Sequence, residues 1–153
     1  MKKALILLGC PESPIQVPIA LYLSYKLRGM GYQVTVTANP AALRLLEVAD
    51  PAKLYLDKTS DLDSTLDSLS EAEYDLLFGF IHNDAAMAYF ITFDSILKIP
   101  SIAIIFERDA EILNTIEIEV KENTNSHIIS ARAHHNPNPL KIRIDKFLDR
   151  LED

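Results

Sequence analysis

Ala4-Leu-Ile-Leu-Leu-Gly9, followed by Cys10-Pro-Glu-Ser-Pro14, is the stretch that decides the fold of this chain. The first part is a short, continuous apolar run, which is typical of a strand covered on both faces of a sheet. In the second part, Ser13 belongs to the residue types that cap helices, and Pro14 suits a first helical position. Gln16 lies three residues after Ser13 and completes the pattern of a capping box. The segment therefore predicts a strand, a tight loop and a helix.

Strand and helix patterns alternate along most of the chain. Apolar or β-branched runs at 33–37, 76–81 and 101–106 predict strands with helical segments after them, and 53–56 is a plausible further strand. The acidic, serine-rich segment 57–75 is expected to contain a solvent-facing helix. Alternation through short connections predicts a parallel sheet with helices on both faces. Right-handed crossovers then favour the strand order 3-2-1-4-5.

The pattern changes near the C-terminus. Ile116 and Ile118 alternate with charged residues, which is typical of a half-exposed strand. Residues 127–131 are expected to return antiparallel to it, and a last helix is expected to begin at Asn138. The sequence thus predicts one Rossmann-like, three-layer α/β/α domain over residues 1–153, with a C-terminal antiparallel hairpin at the end of the sheet.

Charge and composition narrow the classes of function. The 153 residues include 15 Lys or Arg and 22 Asp or Glu, which gives a formal net charge of −7. An acidic chain without a basic cluster is a poor candidate for binding nucleic acid. No export signal is visible, and the uncharged stretch 85–93 is far shorter than the roughly 20 residues that span a bilayer. With one cysteine, no intrachain disulfide can form. We therefore expect a cytoplasmic protein that binds neither nucleic acid nor membrane.

Four short motifs occur together in the first part of the chain: Gly-Cys-Pro-Glu-Ser-Pro at 9–14, Ala-Asn-Pro-Ala-Ala at 38–42, Val-Ala-Asp-Pro at 48–51 and His-Asn-Asp-Ala at 82–85. Together they resemble a family of uncharacterised proteins from methanogenic archaea, a conserved domain of unknown function. The resemblance covers roughly residues 1–100. It implies a three-layer α/β fold and a cytoplasmic location, and it implies no activity.

A candidate site follows from the expected strand order. Open parallel sheets bind ligands beyond the carboxyl ends of their strands, at the point where the strand order reverses. Here that point lies between the first and fourth strands, which lead into Cys10 and His82. The other side chains expected near this crevice are Ser13, Asn39, Asn83, Asp84, Glu107 and Arg108. The helix N-terminus after Cys10 would favour an anionic ligand there.

The motifs of the common nucleotide-binding folds do not occur in the sequence. Gly9 is the one glycine of the first turn, where the dinucleotide motif needs three, and the second strand ends at Asn39 without an acid for a ribose. A metal site of Cys10, His82 and His134 would require the C-terminal loop to fold over the crevice. The sequence therefore assigns no cofactor and no metal.

Three classes of function stay open. The first is a small-molecule-binding or accessory protein. The second is an enzyme or sulfur carrier in which Cys10 is the nucleophile and His82 its base, although a cysteine is also a common small core residue. The third is an oligomeric assembly subunit without a site of its own. A homodimer is expected through the uncharged helix at 85–93, or through the Ile15/Ile19/Tyr22 face of the first helix.

Overall fold

The elements of the fold alternate between strand and helix in the computed structural model, which describes residues 1–152. The strands are β1 (Lys3–Leu7), β2 (Gln33–Ala38), β3 (Lys58–Asp61), β4 (Leu76–Ile81), β5 (Ser101–Phe106) and β6 (His127–Ala131). The helices are α1 (Gln16–Gly29), α2 (Pro40–Ala49), α3 (Leu62–Ser68), α4 (Asp84–Leu97), α5 (Ala110–Asn123) and α6 (Asn138–Glu152). The sheet order is β3-β2-β1-β4-β5-β6, and every neighbouring pair is parallel. The predicted α/β class and the order of the first five strands are confirmed.

Each face of the sheet carries its own core, because successive strand residues point to opposite faces. Ile6 of β1 belongs to the core formed with α1, α2 and α6. Its neighbour Leu7 belongs to the core formed with α4 and α5. All residues of β4 and β5 are buried, which explains why these strands are continuous apolar runs. A Cβ at Gly79 of β4 would overlap the Phe90 ring, so this glycine lets α4 lie close to the sheet.

The third strand does not lie at 53–56, as the sequence predicted, but at Lys58–Asp61. The cause is the buried carboxylate of Asp50, which accepts hydrogen bonds from three successive backbone N–H groups. These donors are Leu54 at 2.8 Å, Tyr55 at 3.0 Å and Leu56 at 2.8 Å. Because the N–H groups of this apolar segment are bonded to one side chain, the segment forms a turn instead of a strand.

The predicted C-terminal hairpin is wrong. Residues 116–120 lie within α5, whose N-terminus is capped by Asp109 through hydrogen bonds from the N–H groups of Glu111 and Ile112. The buried residues of α5 are Leu113, Ile116 and Val120, spaced as on one face of a helix, while Ile118 is 46% exposed. Since α5 crosses the sheet between β5 and β6, β6 pairs parallel to β5.

Neither face proposed for a dimer is an open apolar surface of the kind expected from the sequence. Ile15 and Ile19 are 1% and 2% exposed and belong to the core. Helix α4 buries Met87, Phe90 and Phe93, and the exposed residues of its uncharged segment are Ala85, Ala88 and Thr92. It packs beside α5 and not beneath the C-terminal helix. None of the helices in residues 1–152 is long and apolar enough to cross a membrane.

The Asp50 turn makes stability depend on pH. Burial by itself would raise the pKa of the Asp50 carboxyl, but the three backbone N–H donors and the Arg28 guanidinium lower this pKa below its ordinary value. The carboxylate should therefore stabilise the fold above the unfolded pKa, near 3.9, and lose this effect as pH falls through the lower folded pKa. We expect Asp50→Asn to lower the free energy of unfolding at neutral pH by about 1–3 kcal/mol.

Urea unfolding at neutral pH and near pH 2 measures this effect. The stability of Asp50→Asn should fall less between the two conditions than that of the unsubstituted protein. Asp67→Asn, at an exposed position of α3, is the control and should behave like the unsubstituted protein. If Asp50→Asn and Asp67→Asn lost stability equally on acidification, the assigned role of Asp50 would be contradicted.

Candidate functional site

The loop of residues 8–15, here called the first-turn loop, joins β1 to α1 and is held from three sides. On the α1 side, the Gly9 N–H donates to Gln16 Oε1 at 3.1 Å, and Gln16 Nε2 donates to the Gly9 carbonyl at 2.9 Å. On the β4 side, His82 Nε2 lies 2.7 Å from the Cys10 carbonyl oxygen. On the β6 side, the Ser13 hydroxyl donates to the His134 carbonyl at 3.3 Å. Hydrogen bonds from the nearby helix and from distant parts of the chain thus hold the loop in place.

The predicted capping box at the start of α1 is wrong. Its two members turn away from the helix end, because Ser13 bonds to His134 and Gln16 bonds to Gly9. The N-cap residue is Ile15, which supplies no side-chain cap, and the helix begins at Gln16. Gln16 is fully buried, so its amide serves two backbone groups that would otherwise be buried without partners.

His82 lies at the centre of the site. Its side chain is 6% exposed and its ring centroid lies 5.4 Å from that of Phe106. Because a carbonyl oxygen only accepts hydrogen bonds, Nε2 is the donor to Cys10 and carries a proton. A Cβ at Gly9 would lie 3.1 Å from this nitrogen and 3.0 Å from the Ala86 Cβ. Glycine at this position therefore allows β1 to end directly against His82 and the first turn of α4.

The Cys10 side chain opens into a pocket of about 180 Å³, here called the Cys10 pocket. It lies between the carboxyl ends of β1, β2 and β3 and the first turns of α4. Asn39 Nδ2 donates to the exposed Cys10 sulfur at 3.3 Å, while Asn39 Oδ1 accepts from Ala42 N–H and caps α2. The other lining residues are Leu8, Gly9, Pro40, Asp61, Leu62, Asp63, Ala85, Ala86 and Tyr89.

Two carboxylates and a phenol give the Cys10 pocket its polar character. The Tyr89 hydroxyl donates to Asp63 Oδ1 at 2.7 Å, and this hydrogen bond, together with burial, raises the pKa of Tyr89. Asp61 caps α3 by accepting from the Ser64 N–H at 3.1 Å. The lining contains no lysine, arginine or histidine. The pocket therefore combines an apolar wall with an acidic edge.

A second pocket of about 230 Å³, here called the His82 pocket, lies on the other side of the first-turn loop. Its lining residues are Glu12, Ser13, His82, Phe106, Glu107, Arg108, Ala133 and His134. The C-terminal loop does fold over this crevice, through the contact of His134 with Ser13. Desolvation, followed by the nearby His135 and Arg108, lowers the pKa of His134. The lining contains both acidic and basic side chains, so this pocket has no single sign of charge.

The predicted site residues are divided between these two pockets. Cys10 and Asn39 line the first, while Ser13, His82, Glu107 and Arg108 line the second. Asn83 caps α4 by accepting from the Ala86 N–H at 2.9 Å, and Asp84 is an exposed residue of its first turn. Neither residue is among those that line the pockets.

Cys10 and His82 are in contact, but not through the groups that catalysis would use. The histidine bonds to the backbone of Cys10, and the sulfur bonds to Asn39. The catalytic pair stays a prediction. Within residues 1–152, no three His, Cys, Asp or Glu side chains are grouped so that they could hold a metal ion.

Sequence reasoning missed Asp61, Asp63 and Tyr89. Asp61 is the last residue of the true β3 and Asp63 follows it, and the sequence interpretation put this strand several residues too early. Tyr89 lies on α4, in a stretch whose apolar character indicated burial alone. In the register of β2 and β3, Asp61 lies opposite Ala38 and therefore beside Asn39. A correct prediction of β3 would have placed Asp61 at this carboxyl end of the sheet.

Comparison with known proteins agrees with the resemblance found in the sequence. Residues 5–147 match the model of a family described as a domain of unknown function, DUF1890. The chain is 38% identical over 153 residues to the uncharacterised protein MJ0452 of Methanocaldococcus jannaschii, a match that covers 99% of this chain and 100% of that protein.

Two solved structures are similar to the fold. The structure of MT0777 is 54% identical, with a TM-score of 0.96 over 97% of this chain and 98% of that one. The crystal structure of the cypemycin decarboxylase CypD is 16% identical, with a TM-score of 0.60 over 95% of this chain and 96% of that one. The second likeness concerns the fold alone.

The two hydrogen bonds of Gln16 should be a major source of local stability. Gln16→Leu keeps a side chain of similar size but leaves the Gly9 N–H and carbonyl groups without partners. We expect the free energy of unfolding to fall by about 2–4 kcal/mol, since an unpaired buried polar group costs about 1–3 kcal/mol. Chemical denaturation measures this change. Gln33→Leu, at a half-buried position of β2, is the control, and an equally small effect of both substitutions would contradict the role of Gln16.

Proposed function

For this chain, which belongs to the family described as a domain of unknown function, DUF1890, we propose that it binds a small, uncharged or cationic organic molecule in the Cys10 pocket. The observation that carries the proposal is the position of this pocket at the reversal of strand order between β1 and β4. That is where open parallel sheets bind their ligands. The family and its relatives supply no activity from which to choose a ligand.

The walls of the pocket suit a small organic ligand. Leu8, Leu62 and Ala86 supply apolar surface, while Asn39 and Tyr89 supply a few directional polar groups. This combination of mainly apolar lining and few polar groups is typical of small-molecule sites. The hydrogen bond between Tyr89 and Asp63 joins α4 to the start of α3 at the pocket edge, so the ligand would lie beside a defined donor–acceptor pair.

The charges near the pocket favour an uncharged or cationic ligand over an anion. Asp61 and Asp63 line it, and none of its lining residues is basic. The N-terminus of α1, which suggested an anion at first, has few N–H groups to offer. Pro14 and Pro18 have none, and those of Gly9 and Gln16 are bonded within the loop and helix end.

The contacts around Cys10 favour binding over thiol catalysis. A thiol nucleophile needs its base within hydrogen-bond reach of the sulfur. In this protein the observed partner of the sulfur is the Asn39 amide, which cannot accept the thiol proton through its nitrogen. An exposed, unpaired cysteine also suits a reducing compartment, so we propose a cytoplasmic location.

We also propose that the protein is a homodimer, through a surface here called the tyrosine patch. The patch is a groove of about 390 Å³ lined by Pro18, Leu21, Tyr22, Tyr25 and Tyr55. Tyr25 is 55% exposed and Tyr55 44% exposed, and exposed aromatic patches are typical of interfaces.

A second copy of this chain is the partner that the charges at the patch favour. Lys141 lies over the Tyr22 ring and pairs with Asp145 at 2.9 Å, so one edge of the patch carries both signs of charge. Two copies related by a twofold axis could therefore set opposite charges against each other, as an isologous interface requires.

Selective capture at Cys10 tests the binding proposal, because the chain has no other cysteine. Disulfide-linked fragments of matched size with amine, uncharged or carboxylate ends are offered under partly reducing conditions, and capture is read by intact-protein mass spectrometry. We expect the amines and uncharged fragments to be captured about fivefold more than the carboxylates, because Asp61 and Asp63 repel the latter.

Filling the pocket provides the matched test. Ala85→Phe fills the Cys10 pocket and should abolish the selectivity. Ala88→Phe, at an exposed position one turn further along α4, should preserve it. Equal capture of the three fragment classes, or an identical effect of the two substitutions, would contradict the proposed site.

Light scattering tests the dimer. At micromolar concentration we expect twice the 17.2 kDa mass of one chain. Tyr25→Lys places a charge on the tyrosine patch and should give monomers, whereas Ile118→Lys, at a 46% exposed position of α5, should leave the dimer intact. A monomer of the unsubstituted chain, or dissociation by both substitutions alike, would refute this interface.

A further inference from the structure

A polar groove of about 310 Å³ lies on the sheet near the amino ends of β1, β2 and β3. Helix α3 spans only Leu62–Ser68 and leaves this part of the sheet uncovered. The lining of the groove includes Lys3, Thr35, Lys58, Ser60, Thr65, Glu73 and Tyr74. This surface, here called the lysine groove, is remote from the carboxyl ends of the strands, where the Cys10 pocket lies.

Strand register explains why this surface is polar. On β1, Leu5 and Leu7 lie opposite Thr35 and Thr37 of β2. Thr35 and Thr37 in turn lie opposite Lys58 and Ser60 of β3. The face that carries leucine on β1 therefore carries hydroxyl and ammonium groups on β2 and β3. Parallel sheets are usually covered by apolar contacts on both faces, so this polar area is an exception.

Hydrogen bonds hold the floor of the groove in place. Thr65 donates to the Asp61 carbonyl at 2.8 Å, and its oxygen accepts from Thr37 at 3.1 Å and from Ser60 at 2.7 Å. Burial raises the pKa of Tyr74, and the neighbouring Thr35 hydroxyl opposes this rise. The half-buried Tyr74 side chain lines the groove, so its O–H can donate to a ligand bound there.

The charge of the groove is positive, on a chain whose net charge is −7. Within residues 1–152, neither the Lys3 nor the Lys58 ammonium has a carboxylate at ion-pair distance. Glu73 is the one acidic residue of the lining, and its carboxylate already accepts from the Ser70 N–H and hydroxyl at 3.1 and 3.2 Å. Asp75 accepts from the backbone N–H of Lys3 and is not part of the lining.

We propose that the lysine groove binds the phosphate group of a small phosphorylated molecule. Lys3 and Lys58 supply the two ammonium groups. The Tyr74 hydroxyl, which lines the same groove, supplies an uncharged donor. Phosphate accepts several charge-assisted hydrogen bonds at once, and lysine is a common phosphate ligand. This site is independent of the proposed ligand at Cys10, so either proposal can fail without the other.

Calorimetric titration with pyrophosphate tests the site. Lys3→Gln/Lys58→Gln should weaken binding about tenfold or more, since each lost contact is a hydrogen bond from a charged group. The matched control is Lys2→Gln/Lys53→Gln, which changes the net charge equally at two exposed lysines outside the lining, and it should bind nearly as well as the unsubstituted protein. Thermal unfolding of both variants checks that the fold is intact.

Other outcomes would overturn the proposal. Absence of pyrophosphate binding at millimolar concentration would refute an anion site in this groove. Equal weakening in the two double variants would mean that binding reflects overall charge and not this site. Citrate in place of pyrophosphate separates phosphate from carboxylate recognition, and tighter binding of citrate would overturn the assignment of phosphate.

Discussion

Two hydrogen bonds between the Gln16 side chain and the Gly9 backbone are the constraint on which the site depends. They set where β1 ends and where α1 begins, and they do so inside the protein, where a lost partner is costly. With Gly9 held in this way, the Cys10 carbonyl meets the ring of His82 at the end of β4. The two central strands are thus joined beyond their carboxyl ends by the bond between the His82 side chain and the Cys10 backbone.

This arrangement separates two groups that topology alone brings together. The Cys10 sulfur lies on the side of the loop that β2, β3 and α4 enclose, and the His82 ring lies on the side that β5 and the C-terminal loop enclose. A crevice at a point of strand reversal is therefore not a single space in this protein. The loop divides it into the Cys10 pocket, which has an acidic edge, and the His82 pocket, which carries both signs of charge. Because of that division, a ligand in the Cys10 pocket would not contact the His82 ring.

Several polar residues near the loops of this protein begin helices or organise turns. Asn39, Asp61, Asn83 and Asp109 each cap a helix, and Asp50 organises a turn. Asn39 has a structural role and also lines the Cys10 pocket, since its side-chain oxygen caps α2 and its amide nitrogen donates to the Cys10 sulfur. Caps at the carboxyl ends of strands are already at the place where ligands bind, so a structural role and a position in a pocket occur together at this end of the sheet.

The sequence by itself determined the features that depend on neighbours along the chain. Continuous apolar runs indicated β1, β4 and β5, and Asn138 marked the start of the last helix, where it lies. The alternation of these elements, with right-handed crossovers, was enough for the strand order.

Only the tertiary structure decided the features that depend on partners far away in the chain or on competing local patterns. Ile116, Ile118 and Val120 fit a strand period, but burial of Leu113, Ile116 and Val120 against the sheet selects the helix. Ser13 and Gln16 fit a capping box, but Ser13 finds His134, which lies 121 residues away, and Gln16 finds the backbone of Gly9. Local patterns offer several structures of similar free energy, and the contacts made on folding choose among them.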